Sequence, residues 1–145
     1  LTRNPITLTI ETTGRCIVSA EEKQALIDLY NATNGINWTL NTNWLTDTPV
    51  CDWHGVTVEG GKVTEVRLNK NGLVDTLPTS ILALSGLRVL DMGWNSLSGT
   101  IPDVIGQLSS LEELSLYRNR LTGGIPLSIS NLSNLRLLSL NLNSL

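Results

Sequence analysis

The residues able to do covalent chemistry are few and poorly placed for it. His54 is the only histidine, and Cys51 stands three residues before it. A thiolate–imidazole pair needs a third group to orient the ring, and no such group is indicated. Cys16 and Cys51 with one histidine fall short of a four-ligand zinc site, so no metal or cofactor is expected. They leave open a disulfide or two free thiols. No G-x-x-x-x-G-K-[ST] phosphate loop occurs, and Gly60-Gly61 reads as a turn. Glu112 and Glu113 are adjacent, so on a strand they face opposite ways, unlike an acid–base dyad. Catalysis is therefore not expected.

Recognition chemistry is better represented. Lys70, Trp94 and Arg118 recur at one position of a 24-residue pattern, and Tyr117 adjoins Arg118. Trp, Tyr and Arg are enriched at binding hot spots, and an aromatic and cationic stripe could stack on a peptide or a sugar ring. The bland alternative is a solvated face on which the indole lies flat.

The pattern that aligns these residues begins at residue 63. Units run over Val63–Gly86, Leu87–Ser110 and Leu111–Asn134, and a fourth, truncated unit starts at Leu135. Apolar residues match from unit to unit: Val66, Leu90, Leu114 and Leu138, or Leu68, Met92, Leu116 and Leu140. Asn71, Asn95, Asn119 and Asn143 follow, at the point where the chain must turn inward. Their amides can satisfy backbone groups that such a turn leaves unpaired, forming a buried ladder. Alternation such as Leu90-Asp91-Met92 predicts a short strand, and Ile105 and Leu108 are spaced for a short helical or 3₁₀ turn. One unit cannot bury its leucines alone, so stacking into a parallel-strand solenoid is expected.

In such a solenoid the residues between the strand leucines point out of the concave face. By repeat position they are Glu65, Arg67, Asn69 and Lys70; Val89, Asp91, Gly93 and Trp94; Glu113, Ser115, Tyr117 and Arg118; and Leu137, Ser139, Asn141 and Leu142. Arg67, Lys70, Asp91, Trp94, Glu113, Tyr117 and Arg118 are the candidate ligand-binding set.

Upstream, residues 19–35 predict a helix with Ser19 as N-cap, Glu22 completing a capping box and Gly35 as the stop. Residues 36–62 read as irregular, and 6–10 alternate like a strand. Net charge is −3 and Lys and Arg form no run, which argues against nucleic acid or an acidic membrane surface. No apolar stretch approaches the roughly 20 residues that span a bilayer. Three N-x-S/T sequons, at Asn31, Asn37 and Asn131, lean with the cysteine pair towards the secretory pathway. The chain starts and stops inside a pattern and reads as a fragment. Leu135, Leu138, Leu140 and Leu145 would then form an uncapped, frayed end.

The unit LxxLxLxxNxLxGxIPxxIxxLxx resembles the plant-specific class of leucine-rich repeat, and Leu111–Asn134 matches it almost throughout. Residues 16–62 resemble the N-terminal cap of the same proteins, with Cys51-Asp-Trp53-His-Gly55-Val56-Thr-Val58 in place of a C-x-W-x-G-V-x-C motif. Val58 replaces the second cysteine of that motif. The resemblance implies an α/β solenoid, a right-handed superhelix with an N-terminal helical cap over 16–62 and repeats over 63–145; residues 1–15 stay unassigned. It implies a Cys16–Cys51 bridge, worth about 4 kcal/mol on the chain-entropy estimate. Trp38, Trp44 and Trp53 all lie in the cap and are expected to cover the open end of the core, with a carbohydrate platform as the alternative.

The function implied is non-enzymatic recognition of a protein or peptide, or of a carbohydrate, at the cell surface or outside it. The first expectation is the ectodomain of a receptor, with any kinase outside these residues. A secreted inhibitor of cell-wall-degrading enzymes and a structural wall protein are the alternatives. Ice binding, known in the wider class, would need one small polar residue repeated along a face. Thr76 and Thr100 align, but Gly124 follows.

Overall fold

The computed structural model describes residues 16–145. The alternating segment at 6–10 therefore lies outside the described residues. Helix α1 (Ala20–Ala32) opens the structure. Strands follow as β1 (Val56–Glu59), β2 (Lys62–Arg67), β3 (Val74–Asp75), β4 (Val89–Asp91), β5 (Ser96–Leu97), β6 (Glu113–Ser115) and β7 (Leu137–Ser139). The main sheet runs β1-β2-β4-β6-β7, and β3 pairs with β5 in a second, two-stranded sheet. Every pairing from β2 onward is parallel, and the register joins equivalent repeat positions: Val66 with Leu90, then Leu114, then Leu138.

Each coil returns through a 3₁₀ turn: Thr79–Ala83, Asp103–Gln107 and Leu127–Asn131. Pro78, Pro102 and Pro126 precede these turns, where a residue without an N–H loses nothing and its fixed φ suits the entry. The core is one aliphatic stack. Leu68, Met92 and Leu116 are fully buried, as are Leu90 and Leu114, and Leu73, Leu97 and Leu121. At the last coil Leu138 and Leu145 are exposed, while Leu135 and Leu140 pack partly against the core.

The cap differs from the sequence reading in three ways. Residues 56–59 are a strand, not irregular chain: β1 pairs antiparallel with β2 through Gly60 and Gly61, both at positive φ, as a tight hairpin turn requires. Gly55 is needed just before it, because a Cβ there would stand 2.2 Å from the Arg67 carbonyl oxygen. Second, α1 ends at Ala32 with Thr33 as its C-cap, ahead of the stop expected at Gly35, and the left-handed turn falls on Asn34, at φ 60°. Asparagine tolerates that conformation better than most residues. Third, the capping box is half formed. Ser19 Oγ accepts from the Glu22 amide, but the Glu22 carboxylate is buried and accepts from the Val63 amide at 3.2 Å. The helix is thereby tied to the first repeat strand.

Cys16 and Cys51 form the disulfide, 35 residues apart with Cα atoms 5.4 Å from each other. Tyr30, Trp38, Trp44 and Trp53 pack ring to ring, with neighbouring centroids 4.9–5.9 Å apart. Each indole N–H has a backbone acceptor: Thr33 for Trp38, His54 for Trp44 and Thr48 for Trp53. The three indoles are buried and satisfied, so they close the end of the leucine stack and offer no carbohydrate platform, while Tyr30 stays half-buried.

Candidate functional site

The asparagine positions fix the geometry of the concave face. Asn95 Oδ1 accepts from the amides of Asn71 and Leu73, both at 3.0 Å, and its Nδ2 donates to the carbonyls of Leu68, Met92 and Gly93. Asn119 and Asn143 repeat the motif one and two coils on, accepting from Leu97 and Leu121. At the first coil Asn71 instead clamps Leu40 of the cap in both directions. Each side chain thus ties one coil to the next just after its strand. The residue before each asparagine is forced into a sharp bend.

That bend holds a feature no residue type announced. Lys70, Trp94, Arg118 and Leu142 have φ of 53°, 57°, 55° and 57°. Non-glycine residues seldom adopt such values, which cost roughly 1–2 kcal/mol each. The conformation is held by the backbone ladder: the amides of Lys70, Trp94 and Arg118 donate to Gly93, Tyr117 and Asn141 of the next coil. Repeat spacing alone could have located this stripe, but nothing in Lys, Trp, Arg or Leu signals a left-handed backbone.

The stripe is one stack. Arg118 Cζ lies 4.1 Å from the Trp94 ring centroid and Lys70 Nζ lies 5.1 Å from it. Tyr117 meets the same ring edge-on at 5.7 Å. Neither cation has a carboxylate within salt-bridge distance among the described residues. Stacking a sugar or peptide ring on Trp94 would therefore require displacing one of its own cations. Trp94 stays 41% exposed, set between these two positive charges.

The strands themselves carry the opposite sign. Arg67 Nε bonds to Glu65 Oε2 at 2.9 Å, and its Nη2 reaches Glu113 Oε2 at 3.9 Å, two strands away. The hydrogen bond that Arg67 donates to Glu65 holds the Arg67 pKa above its ordinary value, burial opposes this, and the charges of Glu65, Glu113 and Asp91 add to it. Two carboxylates thus pair with one guanidinium, and Asp91 acts on it through its charge. Two expected surface positions are not presented: Val89 is buried between the coils that Arg67 bridges, and Gly93 is buried under a packed backbone. A Cβ on Gly93 would meet Ser115 Oγ at 3.2 Å and the Tyr117 carbonyl oxygen at 3.3 Å. The concave face therefore has an acidic band on the strands and a cationic, aromatic band at their C-terminal ends.

Other sequence candidates resolve into packing. Glu112 and Glu113 engage different arginines, Arg136 and Arg67. Cys51 is in the disulfide, so it supplies no thiolate beside His54. The Thr76 and Thr100 methyls abut Gly99 and Gly123, where an added Cβ would lie 2.6 and 2.9 Å from them. Asn31, Asn37 and Asn131 are all exposed.

Comparison with known proteins agrees with this geometry. The family model described as leucine rich repeat matches residues 61–121, and that of the leucine rich repeat N-terminal domain matches residues 19–57. The chain is 35% identical over 81 residues to receptor protein kinase WSS1 of Oryza sativa subsp. japonica, covering 54% of this chain and 8% of that protein. The chain thus spans under a tenth of that relative's length. The ectodomain of the receptor kinase SOBIR1 from Arabidopsis thaliana superposes with a TM-score of 0.73 at 28% identity, over 88% of this chain and 69% of that one. The plant peptide hormone receptor RGFR1, solved in complex with RGF2, gives a TM-score of 0.54 at 37% identity, over 64% and 18% of the two chains.

Proposed function

The chain belongs to the leucine-rich repeat family and carries that family's N-terminal domain, and on that premise we propose that it is the recognition part of a receptor ectodomain, binding a peptide or protein on its concave face outside the cell. The observation that carries this reading is the strained stripe at Lys70, Trp94 and Arg118. Their side chains build none of the core, yet each coil bears the cost of a left-handed backbone at this position. The stack is organised before any ligand arrives, which lowers the ordering cost of association. Its cations, which meet no carboxylate at salt-bridge distance among the described residues, suit acidic groups of a ligand, and the acidic band around Arg67 suits basic ones. The relatives support the reading, since they are receptor kinases and a peptide hormone receptor. A kinase, a membrane span and the ligand's identity are proposals for the whole protein. Among the described residues, no helix is long and apolar enough to cross a membrane.

The test uses the chain immobilised against a library of secreted plant peptides, followed by titration of whatever binds. Trp94→Ala and Tyr117→Ala should each weaken a genuine ligand by about tenfold or more. An unchanged Kd for both variants, with fold verified by circular dichroism, would refute the assignment of the concave stripe.

A further inference from the structure

The cap carries an apolar surface that concave-face binding does not use. Ile36 is 75% exposed, Leu40 51% and Leu45 46%. Ile36 and Leu45 line a cavity of about 360 Å³ together with Tyr30, Asn31, Asn34 and Gly35. Leu45 stands there at φ 59°. A glycine would adopt that conformation without the steric cost a leucine bears there. Here the conformation holds an apolar side chain outward, beside an exposed asparagine.

That asparagine opens the sequon Asn31-Ala-Thr33, and Asn37-Trp-Thr39 begins one residue after Ile36. One acceptor site thus lines the cavity, and a second follows the lining residue Ile36 in the chain. Glycans at such positions would hinder a macromolecular partner while bringing a sugar within reach of the cavity walls. We propose that Asn31 is N-glycosylated and that the first N-acetylglucosamine of its glycan occupies this cavity, its apolar ring face against Ile36, Leu45 and Tyr30. In the transfer, Asn31 Nδ2 takes the anomeric carbon of an oligosaccharide carried on a lipid diphosphate. The C1–N bond forms, the C1–O bond to the diphosphate breaks, the diphosphate leaves with the bonding pair, and one amide proton goes to a base.

The fold also sets the timing. Thr33 is fully buried, and its hydroxyl donates to the Leu29 carbonyl at 2.6 Å. The sequon hydroxyl is therefore withdrawn once the last turn of α1 closes, so transfer precedes folding of the cap.

The experiment expresses the chain through a eukaryotic secretory pathway and maps glycopeptides by mass spectrometry. Hydrogen exchange over residues 30–46 is then compared among the glycosylated chain, the same chain trimmed to a single N-acetylglucosamine, Asn31→Gln and Asn131→Gln. Asn31 should be occupied. Both sugar-bearing forms should exchange about tenfold more slowly in this segment than Asn31→Gln, and Asn131→Gln should match the parent. An unoccupied Asn31 would overturn the proposal, as would equal exchange with and without its sugar. A trimmed form as fast as Asn31→Gln would place the first sugar outside the cavity. Self-association of the glycosylated chain through this face, lost in Leu45→Asn, would make a second copy the occupant instead. Because Asn31 is exposed and its side chain makes no hydrogen bond among the described residues, Asn31→Gln is expected to fold.

Discussion

Replacing Asn95 by alanine should cost far more than replacing Asn119, although the two occupy one repeat position. The difference follows from which partners find a substitute. Without the Asn95 side chain, the amides of Asn71 and Leu73 and the carbonyl of Leu68 lose their partner. The Met92 carbonyl keeps Asn119 Nδ2, and the Gly93 carbonyl keeps the Lys70 amide. Three backbone groups are thus orphaned at a half-buried turn. At the low end of about 1–3 kcal/mol per unsatisfied group, the loss is about 3–5 kcal/mol. In Asn119→Ala only the Leu97 amide is stranded, because Met92 retains Asn95 and Leu116 retains Asn143. That loss is about 1–2 kcal/mol. Urea titration followed by far-ultraviolet circular dichroism gives the two values. Stacked coils can unfold piecemeal, so native-state hydrogen exchange at the Asn71 and Leu73 amides provides a local readout. Those two amides should lose protection in Asn95→Ala and keep it in Asn119→Ala. Equal destabilisation by the two substitutions, or retained protection at Leu73 in Asn95→Ala, would refute the partner-by-partner reasoning.

Two further outcomes follow from packing and topology. Gly106→Ala should destabilise by about 2–3 kcal/mol in thermal melts, because its Cβ would clash with Ser128 Cβ and the Ser128 carbonyl oxygen of the neighbouring turn, whereas Gly124→Ala, with nothing within 4 Å, should be near neutral. Reducing the Cys16–Cys51 bridge should lower stability by about 4 kcal/mol for its 35-residue separation, measured by urea titration with and without reductant; a loss below about 1 kcal/mol would show that the open cap loop stays ordered without it.

The repeats were legible because their physics is one-dimensional. Each coil makes the same contacts with its neighbours, so a 24-residue spacing in the sequence becomes a 24-residue register in the sheet. Leu90 faces the core for the same reason that Leu114 does. The cap offered no such redundancy. Strand β1 occurs once, has four residues and owes its existence to a partner, β2, and a turn, Gly60-Gly61. Glu22 could be read as half of a local capping box because nothing nearby in sequence revealed the Val63 amide, 41 residues on, that competes for it. Local patterns forecast local bonds; where a long-range donor wins, sequence spacing has no means of showing it.

The site shows the same division more sharply. The residue types of the stripe at Lys70, Trp94 and Arg118 were visible, and so was their alignment; what each side chain faces was not. An indole at a hot-spot position suggests a stacking surface, but in the solenoid the coils before and after deliver cations to that ring. The repeat that aligns the three residues is what brings them together, so the alignment that marked Trp94 as a binding residue also occupies its ring. On the proposed reading, recognition works through what Trp94 leaves exposed, Tyr117 and two cations with no carboxylate in salt-bridge distance among the described residues. A ligand chosen by this face should be distinguished by where it carries negative charge more than by whether it carries an aromatic group.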